Sequence, residues 1–354
     1  MYRCVNITEE GICTGQLSPC MHGSLPFIEI GSNMQYGSLS CSECGSEYPV
    51  IDFVPLLVPK PFFYLRHNFS IIETYLAHTR RPLPTSVKKS LYAVFLNMMN
   101  RPNEPVIPNR KGYEERFIDG VYTRFKSYFE SQAGMEWEPG IFCLGDIRNN
   151  ESPQLYPVIM DMIKKYHEPG SENAVDIACN LGGFTFMLSS LYKNSFGFDT
   201  SFEAIHSASL SADKKQIAFS HGSFTINKNL DFLKKPNFFV SEAETTPFIS
   251  DYIDLALALN IVDIVPDPVK LLKEIARITR KNGTVIITTP FVDSSKSVTR
   301  LKKIAGSEIE ALKIISEEQG FSILEEKDDI LWRLNEYKRK IVLYNLYLIV
   351  LKKN

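Results

Sequence analysis

The sequence predicts an α/β protein in three parts: a small cysteine-rich β module, a helical stretch, and a parallel sheet covered by helices. From residue 172 onwards, short apolar runs rich in β-branched residues alternate with segments of helical period, the pattern of a parallel sheet. From about 60 to 170, apolar and aromatic residues recur at helical spacing between Pro-rich breaks, with no strand alternation. The first 58 residues are rich in Cys and Gly, and five of the seven cysteines lie within the first 44. These shifts divide the chain into 1–58, 59–170 and 171–354. With 354 residues, 44% of them hydrophobic, it is long enough to bury a sizeable core.

In the module, "PFIEI" and "YGSLSC" read as strands flanking a polar turn, "GSNMQ". The helical candidates that follow are "SIIETYLAH", "SLYAVFLNMM", "GYEERFIDGVYTRFKSYF" and "YPVIMDMIKKY". The third of these places Tyr113, Phe117, Val121, Phe125 and Phe129 on one face, with Tyr122, Arg124 and Tyr128 near its edges. Next, "NAVDIAC" is a buried strand, "NLGG" a tight turn and "FTFMLSSLY" a helix, an arrangement that offers backbone N–H groups and a helix N-terminus to a ligand. A second strand, "SFGFD", ends in Asp199, placed to accept hydrogen bonds from a ribose diol; the pair points to a nucleoside ligand. The turn carries Ala178 and Asn180 where glycines are expected. The apolar run "IVLYNLYLIVL" is too short to span a bilayer as a helix and reads as a buried terminal strand.

Charge and cysteine usage narrow the setting. A net charge of −2 gives no general attraction to polyanions, so nucleic acid is not the expected partner. The start "MYRCVNITEEG" lacks the charged and apolar regions of a secretory signal, so a cytoplasmic location is expected. In that setting a cysteine cluster serves metal more often than disulfides.

Four ordered motifs carry a resemblance: the "NAVDIACNLGG" turn, "SEAETTPF", "DLALALNIVDIVPDP" and "ITRKNGTVIITTP". Together they resemble class I S-adenosylmethionine-dependent methyltransferases, over roughly 172 to 352. The resemblance implies a Rossmann-like seven-stranded methyltransferase sheet, finished by an antiparallel pair from "FSILEEK" and "KIVLYNLYLIVLKK", with S-adenosyl-L-methionine as cofactor. It assigns Asp176 and the backbone of Ala178, Cys179, Asn180, Gly182 and Gly183 to the methionine end. Asp199 would hold the ribose, with Thr200 and Ser201 beside it; Glu242 and Ala243 would meet the adenine, and Asn260 would face the sulfonium. Asp176 has a second reading as a helix-capping carboxylate, and Glu244 and Asp254 read as solvated or capping groups. Family members usually carry Gly at positions 178 and 180. Ala adds only a methyl group and Asn tolerates φ > 0 best after Gly, so the turn still forms, with a side chain where the cofactor's amino acid portion approaches.

A second resemblance lies at the start. "LSCSECGSEYPVIDFVPLLVP" is similar to the second half of the zinc-ribbon-like domains that accompany some methyltransferases. It makes Cys41 and Cys44 ligands of a structural Zn²⁺, joined by two of Cys4, Cys13 and Cys20. A ribbon that has kept its core and lost its metal is the other reading.

Methyl transfer asks mainly for positioning, with a general base only for a protonated nucleophile. Asp263, in the loop after the fourth strand, is the candidate to orient an amine or accept a proton, with a helix-capping carboxylate as its other reading. Helices before the first strand form a lid in small-molecule members of the family, which makes Tyr122 a pocket-closing candidate. The expected function is N or O methylation of a small molecule or amino acid side chain. The alternatives are use of the cofactor's aminocarboxypropyl chain by transfer or cyclisation, RNA methylation, and a non-catalytic cofactor-binding scaffold. The basic run "RLNEYKRKI" at 333–341 reads as a solvated turn.

Overall fold

The computed structural model describes residues 2–8, 11–13, 15–99, 155–168, 170–221, 224–292, 295–337 and 340–354. The N-terminal module holds the pair β1 (Ile7–Thr8) and β2 (Gly11–Ile12), then β3 (Leu17–Cys20), β4 (Ile28–Ile30), β5 (Asn33–Cys41), β6 (Glu47–Ile51) and β7 (Val54–Pro55). The last five form an antiparallel sheet. Between β4 and β5 the turn is only Gly31 and Ser32, since Ile30 pairs directly with Asn33. Gly31 at φ 64° closes it, and the remainder of the expected "GSNMQ" turn is strand.

Three expected helical runs form α1 (Pro61–His78), α2 (Thr85–Met99) and α3 (Leu155–Tyr166). The fourth, "GYEERFIDGVYTRFKSYF" with Tyr122, lies outside the described residues.

The sheet is built from β8 (Asn173–Ile177), β9 (Asn194–Asp199), β12 (Asn237–Val240), β13 (Ile253–Leu259), β14 (Thr279–Thr289), β15 (Phe321–Tyr337) and β16 (Lys340–Lys353). Its order is β12-β9-β8-β13-β14-β16-β15. The first five strands are parallel; β16 runs antiparallel to β14, and β15, antiparallel to β16, runs in the same direction as the first five. This is the expected seven-stranded Rossmann-like sheet. Successive strand residues alternate between its faces. Val175, Ile177, Ala256 and Ile287 join a core with α6 (Pro268–Ile278) and α8 (Glu308–Glu318). Ala174, Leu255, Leu257 and Ile286 pack on the other side with α3 and α4 (Gly183–Ser189). The covering set is completed by α5 (Phe202–Lys214), started by Ser201, whose hydroxyl accepts from Ala204 N, and by α7 (Lys296–Ala305).

Two elements depart from expectation. A hairpin of β10 (Gln216–His221) and β11 (Phe224–Asn229) stands apart from the main sheet. "RLNEYKRKI" is mostly strand: residues 333–337 and 340–341 pair, from Phe321 opposite Lys353 to Tyr337 opposite Lys340, and 338–339 lie outside the described residues. The β-branched and aromatic partner run "KIVLYNLYLIV" carries the polar strand along by main-chain pairing, which charge does not prevent.

The module docks on the β12 edge. Leu57 N donates to Val240 O at 2.8 Å, and Leu56 bridges Val240. At the β6–β7 turn, the buried Asp52 carboxylate accepts from Gln35 Nε2 and His206 Nε2, each at 2.8 Å, and from Arg81. Burial raises its pKa, but the bonds from His206, Arg81 and Gln35 outweigh this and hold it well below the usual carboxylate range.

Gly197 in the middle of β9 has no room for a side chain. A Cβ there would meet Thr185 Oγ1 at 2.5 Å and Phe238 Cε1 at 2.7 Å. Gly197→Ala is therefore expected to lower stability by about 1–3 kcal/mol, read as a reduced midpoint in urea unfolding, with the slope unchanged.

Candidate functional site

The strand order reverses between β8 and β13, and in open α/β sheets ligands bind beyond the carboxyl ends of the strands at such a point. A cavity lies there. The residues that line it are Asp176 of β8, Ala178 to Asn180 after it, Phe184 of α4, Leu259 and Asn260 at the end of β13, Leu155 and Tyr156 of α3, and Trp332 of β15.

Asp176 is 3% exposed and accepts a hydrogen bond from Thr185 Oγ1 at 2.8 Å. The Thr185 backbone N–H also bonds to it, so the carboxylate caps the first turn of α4 while lining the cavity. Burial pushes its pKa up to about 7, against the Thr185 bonds, and the nearby Asp199 adds to the rise.

The turn adopts the left-handed conformations that the missing glycines would favour: φ is 58° at Ala178, 50° at Asn180 and 79° at Gly182. Its amides are largely engaged. Cys179 N donates to Phe198 O, Asn180 N to Asp199 Oδ2 at 3.1 Å, and Gly182 N to Cys179 O. Three N–H groups of the turn assigned to the cofactor, those of Cys179, Asn180 and Gly182, are thus engaged within the protein, while Cys179 and Asn180 still line the cavity. Cys179 itself is buried, and burial raises its thiol well above the ordinary range, which makes it inert packing.

Asp199 stands beside the turn. It accepts from Asn180 N and from Ser201 N at 2.9 Å, and burial raises its pKa despite these bonds. Thr200 O accepts from Tyr64 Oη of α1 at 2.8 Å, a contact the sequence did not announce. Asn260, at φ 56°, donates its N–H to Thr288 O and accepts from Thr288 Oγ1 at 2.9 Å, which fixes the amide at the cavity wall. Glu242 and Ala243 lie in the loop after β12, where Glu242 bridges Thr245.

Asp263 is held by the loops around it. It is buried, accepts from Thr289 Oγ1 and Val292 N, each at 3.3 Å, and is not part of the cavity wall. Its carboxylate ties the loop after β13 to the loop after β14. Capping of α6 falls to Asp267, whose Oδ1 accepts from Val269 N and Lys270 N. Glu244 accepts from Asp267 N, and Asp254 from the N–H groups of Glu172 and Asn173, so both act as backbone anchors.

The aromatic wall went unforeseen. Tyr156 stacks on Phe184 with centroids 4.6 Å apart and planes 8° from parallel. Tyr156 opens the helix immediately before the first strand of the sheet, so the lid argument applied to Tyr122 points to it equally well. Trp332 was hidden because β15 runs much further than "FSILEEK".

In the module, the ligating atoms of Cys4, Cys13, Cys41 and Cys44 all lie within 4.8 Å of one another. Cys4 and Cys44 sulfurs are 3.6 Å apart and those of Cys13 and Cys41 3.7 Å. A tetrahedron with metal–sulfur bonds of about 2.3 Å has edges of about 3.8 Å, so the spacing fits one metal ion. Asn6 N and Glu43 N each donate to a cysteine sulfur two residues earlier, at 3.4 Å. Gly15 leaves space for the cluster, since a Cβ there would stand 2.4 Å from Cys41 Sγ. Cys20, at the end of β3, is not part of the cluster.

A carboxyl whose pKa is higher folded than unfolded stabilises the fold fully below the unfolded value, and that contribution is lost as pH rises through the folded value. For Asp176 the window runs from the ordinary 3.8 to about 7. Thermal unfolding across it should show Asp176→Asn gaining on the wild type as pH rises, by about 2–4 kcal/mol at pH 8. A constant difference between the two proteins over that range would contradict the burial of the charge.

Residues 175–287 match the family model of a methyltransferase domain. No curated protein sequence matches the chain. Among solved structures, a S-adenosylmethionine-dependent methyltransferase from Methanosarcina mazei is 20% identical, covering 56% of this chain and 98% of its own, with a TM-score of 0.40. A putative methyltransferase from Bacillus halodurans is 14% identical over 55% of this chain and 97% of its own, TM-score 0.39. The [4+2]-cyclase SpnF is 13% identical over 56% of this chain and 80% of its own, TM-score 0.40. With the family match lying on β8 to β14 and the cavity at their carboxyl ends, the chain carries a methyltransferase domain over those residues and is an enzyme.

Proposed function

We propose that the protein transfers a methyl group from S-adenosyl-L-methionine to nitrogen or oxygen of a small molecule or an amino acid side chain, in the cytoplasm. The observation that carries this reading is the pair of carboxylates at the carboxyl edge of the sheet, Asp176 buried and Asp199 half-buried. Asp176 and Asp199 both have raised pKa values, and neither forms an ion pair among the described residues. Such a site favours a cationic ligand, because a positive charge offsets the cost of burying the carboxylates. When bound, the cofactor supplies a methyl carbon activated by the sulfonium. The chain's own groups would then position it: Asp176 would hold the ammonium, Asp199 the ribose hydroxyls, Glu242 and Ala243 the adenine, and Asn260 the reacting end. Tyr156, Phe184 and Trp332 exclude water and present an apolar wall to the acceptor.

A second reading rests on the Ala178 methyl group and the Asn180 side chain at the cavity wall. They crowd the place where the amino acid portion would lie, and a shifted pose would expose the γ-carbon to attack in place of the methyl group. Mass spectrometry of spent cofactor, after incubation with a metabolite extract, separates the two. S-adenosylhomocysteine is the expected product, absent with Asp199→Ala; methylthioadenosine as the main product would establish the second reading instead.

The fit of the four sulfurs to a tetrahedron supports a structural Zn²⁺ held by Cys4, Cys13, Cys41 and Cys44, with no coordination position left for chemistry. Metal analysis should give one zinc per chain in the wild type and in Cys20→Ser, and a loss of at least half in Cys41→Ser. Wild-type protein free of zinc after purification without chelator would remove the proposal.

A further inference from the structure

We propose that Arg3 is a positioning residue that couples the cysteine cluster to the segment assigned to the adenine, so that a metal-loaded cluster strengthens cofactor binding. The inference rests on the cofactor reading above. Residues 2–4 run as a short extended strand between the two sites. On one side, Arg3 bridges Gln16, and Cys4 N donates to Gly15 O at 2.8 Å. On the other, Tyr2 bridges Phe248, and Arg3 N donates to Pro247 O at 2.7 Å. Phe248 and Pro247 end the loop that begins with Glu242 and Ala243.

The side chain of Arg3 makes the same connection. It is 7% exposed, and its Nε and Nη2 have no hydrogen-bond partner among the described residues. Nη2 stands 4.0 Å from Glu274 Oε1. That carboxylate oxygen accepts from Thr246 N at 2.7 Å, from Thr246 Oγ1 at 2.6 Å and from Arg277 Nη2 at 2.6 Å. Glu274 therefore holds the loop from below and Arg3 faces Glu274. A buried guanidinium short of hydrogen bonds needs negative charge nearby. Four thiolates around a divalent ion carry a net charge of about −2, and Cys4, the next residue along, is one of them. Metal binding fixes Cys4 and places that charge beside Arg3. Without it, the strand of residues 2–4 loses its anchor at one end, and the 242–248 loop loses its brace.

The test uses full-length protein loaded with zinc, with S-adenosylhomocysteine as probe in titration calorimetry and backbone hydrogen exchange as a second readout. Arg3→Met is expected to retain one zinc per chain, to bind the probe at least fivefold more weakly, and to exchange at least threefold faster at 242–248. Arg3→Lys, which keeps the charge, should recover most of the affinity. Wild type stripped by a chelator, and still folded by circular dichroism, should show the same faster exchange at 242–248; this arm decides the matter where Arg3→Met does not fold. Unchanged exchange at 242–248 in stripped wild type overturns the coupling. Wild type that binds no S-adenosylhomocysteine overturns the cofactor reading instead, while the exchange arm still judges whether the cluster braces the loop.

Discussion

The hydrogen bonds from Thr185 to Asp176 hold the start of α4 against the end of β8, and the packing around them sets where the other groups of the cavity stand. Thr185 reaches that position because Gly197 of β9 leaves the space empty. Gly182 is likewise pressed against the Phe238 ring, where a Cβ would come within 2.7 Å. Two strands and a helix are thereby drawn together more closely than side chains of ordinary size permit. The consequence is a desolvated carboxylate at the cavity wall, whose cost the fold bears until a cation faces it. Stability and binding are in tension at this residue: what lowers the first in the empty protein favours the second.

A second constraint joins the N-terminal module to the sheet. Asp52 is satisfied by three partners from three elements: Gln35 of β5, Arg81 after α1 and His206 of α5. None of these groups would be stable buried alone, because each needs the others to replace lost hydration. Tyr2 adds an apolar contact, its ring 5.2 Å from Phe239 and at a steep angle to it. The module is thus fastened along the edge of β12, whose exposed main chain would otherwise be free to pair with another strand.

Much of this architecture was legible in the sequence, for physical reasons that also mark where legibility stopped. Parallel strands buried on both faces stand out as continuous β-branched runs, so β8, β13 and β14 were plain. The helical periods of α1, α2 and α3 were equally readable. The tight β4–β5 turn was overestimated because Asn33 and Gln35 are polar, and polarity alone does not distinguish a loop from a strand with one wet face. The same confusion hid the outer part of the β15–β16 ribbon and, with it, Trp332. Cys4 and Cys13 could not be separated from Cys20 as cluster members, because which cysteines converge depends on the pairing of β3 with β5. For Asp263 the loop position was legible, but its partners Thr289 and Val292 lie 26 and 29 residues further along the chain and are brought to it only by the fold.

The missing glycines change the surface of the turn more than its path. A left-handed alanine costs about 1–2 kcal/mol. Ala178 accepts that conformation because its neighbours leave no alternative: Cys179 N is bound to Phe198 O, Asn180 N to Asp199, and Gly182 N to Cys179 O. Three hydrogen bonds of that kind, each worth about 1 kcal/mol net, outweigh the strain of one residue. With the path fixed by these bonds, the residues at 178 and 180 are free to vary in what they present to the cavity. Ala178 and Asn180 then stand in the cavity wall, with Asp176 and Asn260, where glycine would leave open backbone. On the proposed reading, the amino acid portion of the cofactor would meet side chains here, with fewer backbone N–H groups available than a glycine-lined turn suggests. Selectivity at this end would then follow from size and charge, set by Ala178, Asn180 and Asp176 together, while the sheet beneath them is left unchanged.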